Sequence, residues 1–278
     1  PNPPSPRTLK TMANFSFGSS DLFVSSDRGR LTVNIGGVNP PSAATVRNSL
    51  LVPPVINNPF ADANVFLEPI VNENEMAIGN DSDNVLAGFD GDDTLMGLGG
   101  DDRLFGNRDN DFLMGGDGDD TIEAGRDDDR VLGNAGDDVL NGNRGDDIIL
   151  GNEGDDRLFG GRDDDTLDGG AGEDTLTGDL GANRLQGGED ADLFVLRTDV
   201  ALEDPDRANL EAADVIVDFS SDDRLGLTDG LTVANLTFSG ATVDGEAAIA
   251  VRIGANGPFL AAIVGVEANE LTGRFISL

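Results

Sequence analysis

The sequence predicts an all-β chain whose centre is a right-handed parallel solenoid of two facing sheets. Three observations predict it: a nine-residue period that runs thirteen times between 78 and 194, an apolar residue held at one position of every repeat, and glycine held at another. Each repeat is numbered from its glycine, so that Gly133 is position 1 of "GNAGDDVLN". Position 1 is then Gly in twelve repeats and Ala124 in the remaining one; position 4 is Gly in eight, Asp in four and Ser82 in one. Position 6 is Asp in eleven and Asn in two, and position 8 is apolar in all thirteen, from Leu86 to Phe194. A fixed period of this kind decides the architecture before any local propensity does.

One obligatory apolar site in nine is too sparse for a helix, whose buried stripe takes three or four positions per two turns. It suits a short strand over positions 7–9, with position 8 inward, followed by a six-residue turn. Glycine at position 1 and its neighbours supplies positive φ or a close backbone approach. The substitutes agree: position 4 accepts Asp109, Asp127, Asp163 and Asp190, and position 2 accepts Asn80, Asn107, Asn134, Asn143 and Asn152. These are the non-glycine residues that best tolerate the left-handed region. Two repeats make one coil of eighteen residues, and coils stack as parallel strands about 4.8 Å apart. Parallel crossovers of this kind are right-handed. The core is one thin aliphatic layer, too little to offset ordering entropy of about 1–2 kcal/mol per residue.

Stacking brings position 6 of every second repeat into register. One edge carries Asp93, Asp111, Asp129, Asp147, Asp165 and Asn183; the other carries Asn84, Asp102, Asp120, Asp138, Asp156, Asp174 and Asp192. Two carboxylates one strand spacing apart repel by about 3 kcal/mol at an effective dielectric near 20. The array holds 33 acidic residues against eight Arg, and the whole chain 53 against 18, a net charge of −35. The spacing therefore predicts a divalent cation between successive turns, held by two Asp carboxylates and by carbonyls of the glycine turns. All-oxygen ligation in a flexible site is calcium's preference more than magnesium's, and a chain without His or Cys disfavours transition metals. Neighbours with Asp at both ends number four on one edge and five on the other. This gives about nine full calcium sites, and up to eleven with weaker ones beside Asn84 and Asn183.

Composition excludes several functions. Without Cys or His there are no disulfides, no thiolate chemistry and no Ser-His or Cys-His catalysis, and no G-x-S-x-G elbow is present. A surface this acidic makes nucleic acid and anionic membrane poor partners, and the longest apolar run, "FLAAIVGV" at 259–266, is too short to span a bilayer. High charge with few aromatics ordinarily indicates disorder, but a strict period with an invariant apolar position does not belong to a solvated low-complexity tract. EF-hand loops need acidic residues at 1, 3 and 5 before a glycine at 6, and "DGDDTL" and "DSDNVL" fail at the fifth. Position-5 acids such as Asp119, Asp137 and Asp146 read as solvated turn residues. Arg103, Arg130 and Arg157, at position 7, read as outward strand residues, and Phe105 and Phe159 as edge packing.

The array divides the chain into an N-terminal segment (1–77), the solenoid (78–194) and a β-rich C-terminal domain (195–278). The first segment carries a strand in "RLTVNIGG", another near "NVFLEPIV", and between them a proline-rich extended stretch. Residues before Met12 are set aside from the fold, and no apolar stretch of secretory length opens the chain. The last segment has strands in "DVIVDF", "AAIAVRI" and "FLAAIVGV" separated by glycine turns.

"GGDGDDTIE" (115–123), "GNAGDDVLN" (133–141) and "GGAGEDTLT" (169–177) resemble the G-G-x-G-x-D-x-U-x nonapeptide of RTX (repeats-in-toxin, haemolysin-type) calcium-binding proteins. The resemblance implies that the solenoid is a right-handed parallel β-roll with calcium in both rows of turns. Further on, "ADLFVL" (191–196) and "DVIVDFSSDDRLGL" (214–227) are similar to the D-x-I-x-D-F…D-x-I-x-L stretch that often follows such a roll, which implies ligand roles for Asp214, Asp218 and Asp223. "ANELTGRFISL" resembles the uncleaved C-terminal signal of type I secretion, although Arg274 departs from its pattern. The implied role is that of a secreted calcium-binding protein, structural or attached to a surface or matrix, and not an enzyme. The alternative is a calcium-dependent C-terminal module of an RTX-type enzyme or adhesin. Calcium ions are the expected partners, with cell-surface or matrix components beyond them.

Overall fold

The computed structural model describes the strands at 12–17, 20–27 and 30–35, residue 74, and residues 76–197, 209–228 and 230–278. The expected strand near "NVFLEPIV" and the proline-rich stretch at 39–59 lie outside the described residues. The chain forms two compact units, Pro1–Pro54 and Val55–Leu278. In the first, Met12–Phe17, Ser20–Asp27 and Arg30–Ile35 make an antiparallel three-stranded meander. Its third strand is the one expected in "RLTVNIGG".

The second unit contains the solenoid. Met76–Ile78, Thr94–Gly99, Phe112–Asp117, Arg130–Ala135, Ile148–Glu153, Thr166–Ala171 and Arg184–Glu189 pair in parallel in one sheet. Val85–Asp90, Arg103–Arg108, Thr121–Arg126, Val139–Arg144, Arg157–Arg162, Thr175–Leu180 and Leu193–Leu196 pair in the other. Every partner lies eighteen residues away, as in Leu140↔Leu158 and Leu140↔Ile122. The thirteen position-8 side chains are fully buried between the sheets, where each gains about 1.5–3 kcal/mol from leaving water.

The strands are longer than the period alone suggests. They run six residues, from position 7 through position 3 of the next repeat, as in Val139–Arg144, and leave a three-residue turn. Positions 8 and 1 both face inward by ordinary strand alternation. Position 1 carries no side chain, so half of the inward pattern leaves no apolar mark in the sequence. Positive φ falls on the two positions that the Asn and Asp substitutes marked, position 2, as in Asn134 (84°), Asn152 (85°) and Leu98 (87°), and position 4, as in Gly136 (129°) and Asp163 (80°), but not on position 1. Position-1 glycines have ordinary φ. They are required because a Cβ there would run into the Oδ2 of the position-6 aspartate five residues on.

Past the array both sheets continue. Asp214–Ile216 adds to the first sheet beside Arg184–Glu189, followed by Phe259–Val264, Glu246–Ile253 and Leu236–Val243, making eleven strands. Arg224–Leu227 and Phe275–Ser277 extend the second to nine. Ile216, Phe219, Leu225, Leu227, Leu260 and Ile263 prolong the aliphatic core, and the Phe219 ring stands 6.0 Å from that of Phe194. The open end of the solenoid core is thereby covered by apolar side chains from the segment that follows it.

Candidate metal centre

Position 6 lies in the short turn before each strand, and its side chain turns inward over the glycine of its own repeat. The result is two buried carboxylate columns, with the eleven aspartates at most 3% exposed. From Asp102 onward each Oδ1 accepts the backbone N–H of the position-6 residue one coil earlier. On one edge the Asp93 N–H donates to Asp111 (2.8 Å), Asp111 to Asp129 (2.7 Å), Asp129 to Asp147 (2.8 Å), Asp147 to Asp165 (2.9 Å) and Asp165 to Asn183 (2.9 Å). On the other, Asn84 donates to Asp102 (2.6 Å), Asp102 to Asp120 (2.7 Å), Asp120 to Asp138 (2.7 Å), Asp138 to Asp156 (2.8 Å), Asp156 to Asp174 (2.8 Å) and Asp174 to Asp192 (3.0 Å). The two columns are the two edges expected from the period.

The second carboxylate oxygen carries the chemistry. The Oδ2 atoms of Asp102, Asp111, Asp120, Asp129, Asp138, Asp147, Asp156, Asp165, Asp174 and Asp192 are buried and accept no hydrogen bond. A buried ionised oxygen left in this state is costly. Except for Asp129, whose position 1 is Ala124, each lies in the hollow that the missing Cβ of position 1 leaves, and the position-1 carbonyl of the next coil usually faces the same spot: Gly115 for Asp102, Gly169 for Asp156, Gly187 for Asp174. Among the described residues no three carboxylates converge on one point. The donor set is carboxylate Oδ2 plus backbone carbonyl, all oxygen, repeated at each coil. That set fits a hard divalent cation of calcium's habits.

Burial is the first cause of a raised pKa along both columns, reinforced by neighbouring carboxylates and partly countered by the backbone N–H bond. Asp129, Asp138 and Asp165 are pushed up to about 8. Asp102, Asp111, Asp147, Asp174 and Asp192 go to about 7, and Asp120 and Asp156 to about 6. The folded column resists being charged unless a cation accompanies the charge.

Both columns continue into the C-terminal segment, although the spacing becomes thirty-one residues. Asn183 donates to Asp214 Oδ1 through its side-chain amide (2.8 Å), and the Asp192 N–H donates to Asp223 Oδ1 (3.1 Å). Asp214 and Asp223 thus stand where position 6 of the next coil would be. Asp218 does not join a column: its two oxygens accept the N–H groups of Gly187 and Gly188, both at 3.0 Å, within the strand Arg184–Glu189. Burial, backed by the charge of Asp218, also raises the pKa of Asp168.

Position 5 builds a second ladder that the nine-residue period does not foretell. From Asp83 to Glu173 these residues are exposed, as expected, but from Asp83 to Asp164 each accepts the N–H of its counterpart in the following coil. Asp101 donates to Asp83 (3.1 Å), Asp119 to Asp101 (3.1 Å), Asp137 to Asp119 (3.0 Å) and Asp155 to Asp137 (3.0 Å). The direction is opposite to that of position 6. The signal was available, since Asp, Asn or Glu fills position 5 in nearly every repeat.

Parallel register, a coil of eighteen residues and columns of unsatisfied carboxylate oxygens define a cation-binding β-roll. Residues 72–196 match the RTX calcium-binding nonapeptide repeat, in stretches at 72–104, 97–131, 105–140, 114–149, 132–167 and 168–196. This part of the chain belongs to that family and is a calcium-binding repeat array. Among solved structures, the extracellular lipase LipA from Serratia marcescens is similar at 16% identity and a TM-score of 0.24, over 75% of this chain and 40% of the lipase. The AlgE6R3 subunit of the Azotobacter vinelandii mannuronan C5-epimerase is similar at 23% identity and a TM-score of 0.24, over 58% of this chain and 80% of that subunit. The chain therefore spans well under half of the lipase. No curated protein sequence matches it. Among the described residues no helix is long and apolar enough to cross a membrane.

Proposed function

We propose that the chain is a secreted calcium-binding protein whose acidic array is unfolded where calcium is scarce and folds into the roll where it is plentiful, serving a structural role at a surface or in a matrix and not as an enzyme. The observation that supports this is the column of buried Oδ2 atoms with no hydrogen-bond donor. Bound calcium supplies the positive charge that those oxygens otherwise lack. Oδ1 of each aspartate ties two coils together, Oδ2 and the glycine carbonyls are left for the ion, and position 8 closes the core behind them. A site assembled from two coils exists only in the folded chain, so ion binding contributes directly to folding. The count is about nine ions between paired aspartates, with weaker sites beside Asn84 and Asn183. An unfolded acidic chain suits threading through an export channel, and the C-terminal resemblance to type I passengers supports that route.

Calorimetric calcium titration, with circular dichroism on the same samples, tests the reading. The expected result is about nine bound ions and a coil-to-β transition. A β signal at neutral pH in excess EGTA would sink it.

A further inference from the structure

The outer face of the first sheet carries an apolar stripe that the repeat does not demand. Position 9 of its first five strands is Ile78, Met96, Met114, Leu132 and Leu150, each in register with the next and each partly exposed. Position 7 adds Met76 (47% exposed), Phe112 and Ile148 (40% exposed) beside it. On the second sheet position 9 passes through Phe105, Glu123, Asn141 and Phe159, so polar residues satisfy the fold there. Of the ten residues at positions 7 and 9 of these five strands, eight are apolar and none is acidic, in a chain with 53 acidic residues. An apolar sheet face kept clear of carboxylates is an interaction surface.

The margins of the stripe are charged, and oppositely. Where the strands begin, position 7 holds Arg130; where they end, position 3 holds Asp117 and Glu153, on the strands to either side of the one that carries Arg130. All three are exposed and make no ion pair among the described residues. Position 3 reaches the outer face, since on the second sheet Phe105, Asn107 and Arg126 (positions 9, 2 and 3) border one hollow. We propose that a second copy of the chain docks on this face, in a two-fold dimer whose axis runs along the roll between the two stripes. Each strand then lies antiparallel over the same strand of the other copy, so that Leu132 meets Leu132. Arg130 of each copy falls on the acidic margin of the other, between Asp117 and Glu153. A two-fold along the strands through Met114 would instead set Asp117 on Asp117, and like charges facing each other are destabilising. Charge thus selects both the occupant and its orientation, because the pattern is self-complementary only about the first axis. Five strands about 4.8 Å apart, each of six residues rising about 3.3 Å, present about 500 Å² per copy. Two copies bury about 1,000 Å², at the weak end of specific interfaces, and the net charge of −35 opposes approach except where salt screens it. The association is therefore reversible, with a Kd on the order of 100 µM. It goes beyond the calcium reading and needs only the folded roll.

Sedimentation equilibrium of the full chain in millimolar calcium and about 0.15 M salt tests the dimer, with circular dichroism to monitor the roll. Wild type is expected to pass from monomer to dimer as concentration rises. Met114→Asp with Leu132→Asp is expected to weaken association by about tenfold or more and to leave the β signal unchanged, whereas Phe105→Asp with Phe159→Asp on the other sheet leaves association near wild type. Arg130→Glu alone, and Asp117→Arg with Glu153→Arg alone, are each expected to weaken self-association by about fivefold. Mixing those two variants restores it to within about twofold of wild type, because each reversed charge then meets its complement in the other copy. A chain that stays monomeric at millimolar concentration overturns the proposal, as it would if a segment of the same chain or a different protein occupied the face. Species that grow beyond the dimer, a stripe variant that dimerises as wild type does, or mixed variants that fail to associate overturn it too.

Discussion

Ala124 is the one residue at position 1 with a side chain, and it is fully buried. In the neighbouring repeats a Cβ at this place would collide with the Oδ2 of the aspartate five residues on and, in most, with the next coil's carbonyl. For Ala124 that aspartate is Asp129, which faces both Asp111 and Asp147 through the column. Its methyl therefore occupies part of the space an ion needs. Ala124→Gly should tighten the ions beside Asp129 by about tenfold, and Gly151→Ala, beside Asp156, should weaken its own by a similar factor; calorimetry that shows identical isotherms for both variants and wild type would contradict this. Leu98 makes a second residue-scale case. It holds φ 87° and is 45% exposed, so it carries left-handed strain of about 1–2 kcal/mol without core burial in return. Leu98→Asn should stabilise the calcium-loaded roll by about 0.5–1 kcal/mol, measured by urea denaturation.

The strand is the scale at which inward and outward positions can be told apart by mutation. Leu140 is fully buried whereas Val139 next to it is only partly so. Leu140→Ala should cost about 2–5 kcal/mol, and Val139→Ala less than about 1 kcal/mol, by denaturation at saturating calcium; equal losses would mean that the alternation is misplaced. Position 8 and the two edges were legible in the sequence because leucine and aspartate announce their environments chemically. Strand length was not, because the second inward position is glycine and its demand for space looks like a demand for positive φ. The real positive-φ sites, positions 2 and 4, were marked by their Asn and Asp substitutes, yet Phe89 and Leu98 at position 2 hide the rule. Asp214 and Asp223 were legible only through resemblance, since an interval of thirty-one residues gives no periodic hint that they re-enter the columns. The position-5 ladder was visible as composition and invisible as structure, because nothing in a run such as "GDD" tells which aspartate accepts from the coil above and which from the coil below.

At the scale of the whole molecule, charge and fold are linked through the columns. An aspartate in the unfolded chain titrates near 3.9, whereas ten of the buried column aspartates titrate between about 6 and about 8 in the folded, ion-free roll. A carboxyl whose folded pKa is raised contributes stability that is fully present below the unfolded value and is lost as pH rises through the folded one. Without calcium the roll is therefore favoured at about pH 4 and progressively opposed up to about pH 8, as ten groups demand charge in a buried column. With calcium the order reverses, because the ion takes the place of the proton: binding releases protons, and calcium affinity falls on acidification through pH 8 to 6. The chain in a metal-free buffer should gain β signal by circular dichroism on going from pH 8 to pH 5, above its isoelectric point of about 4.1. At pH 5, added calcium should change that signal far less than it does at pH 8. A chain that stays coil at pH 5 without calcium would show that ions and protons are not interchangeable here, and that the columns require the divalent bridge itself and not only relief of charge.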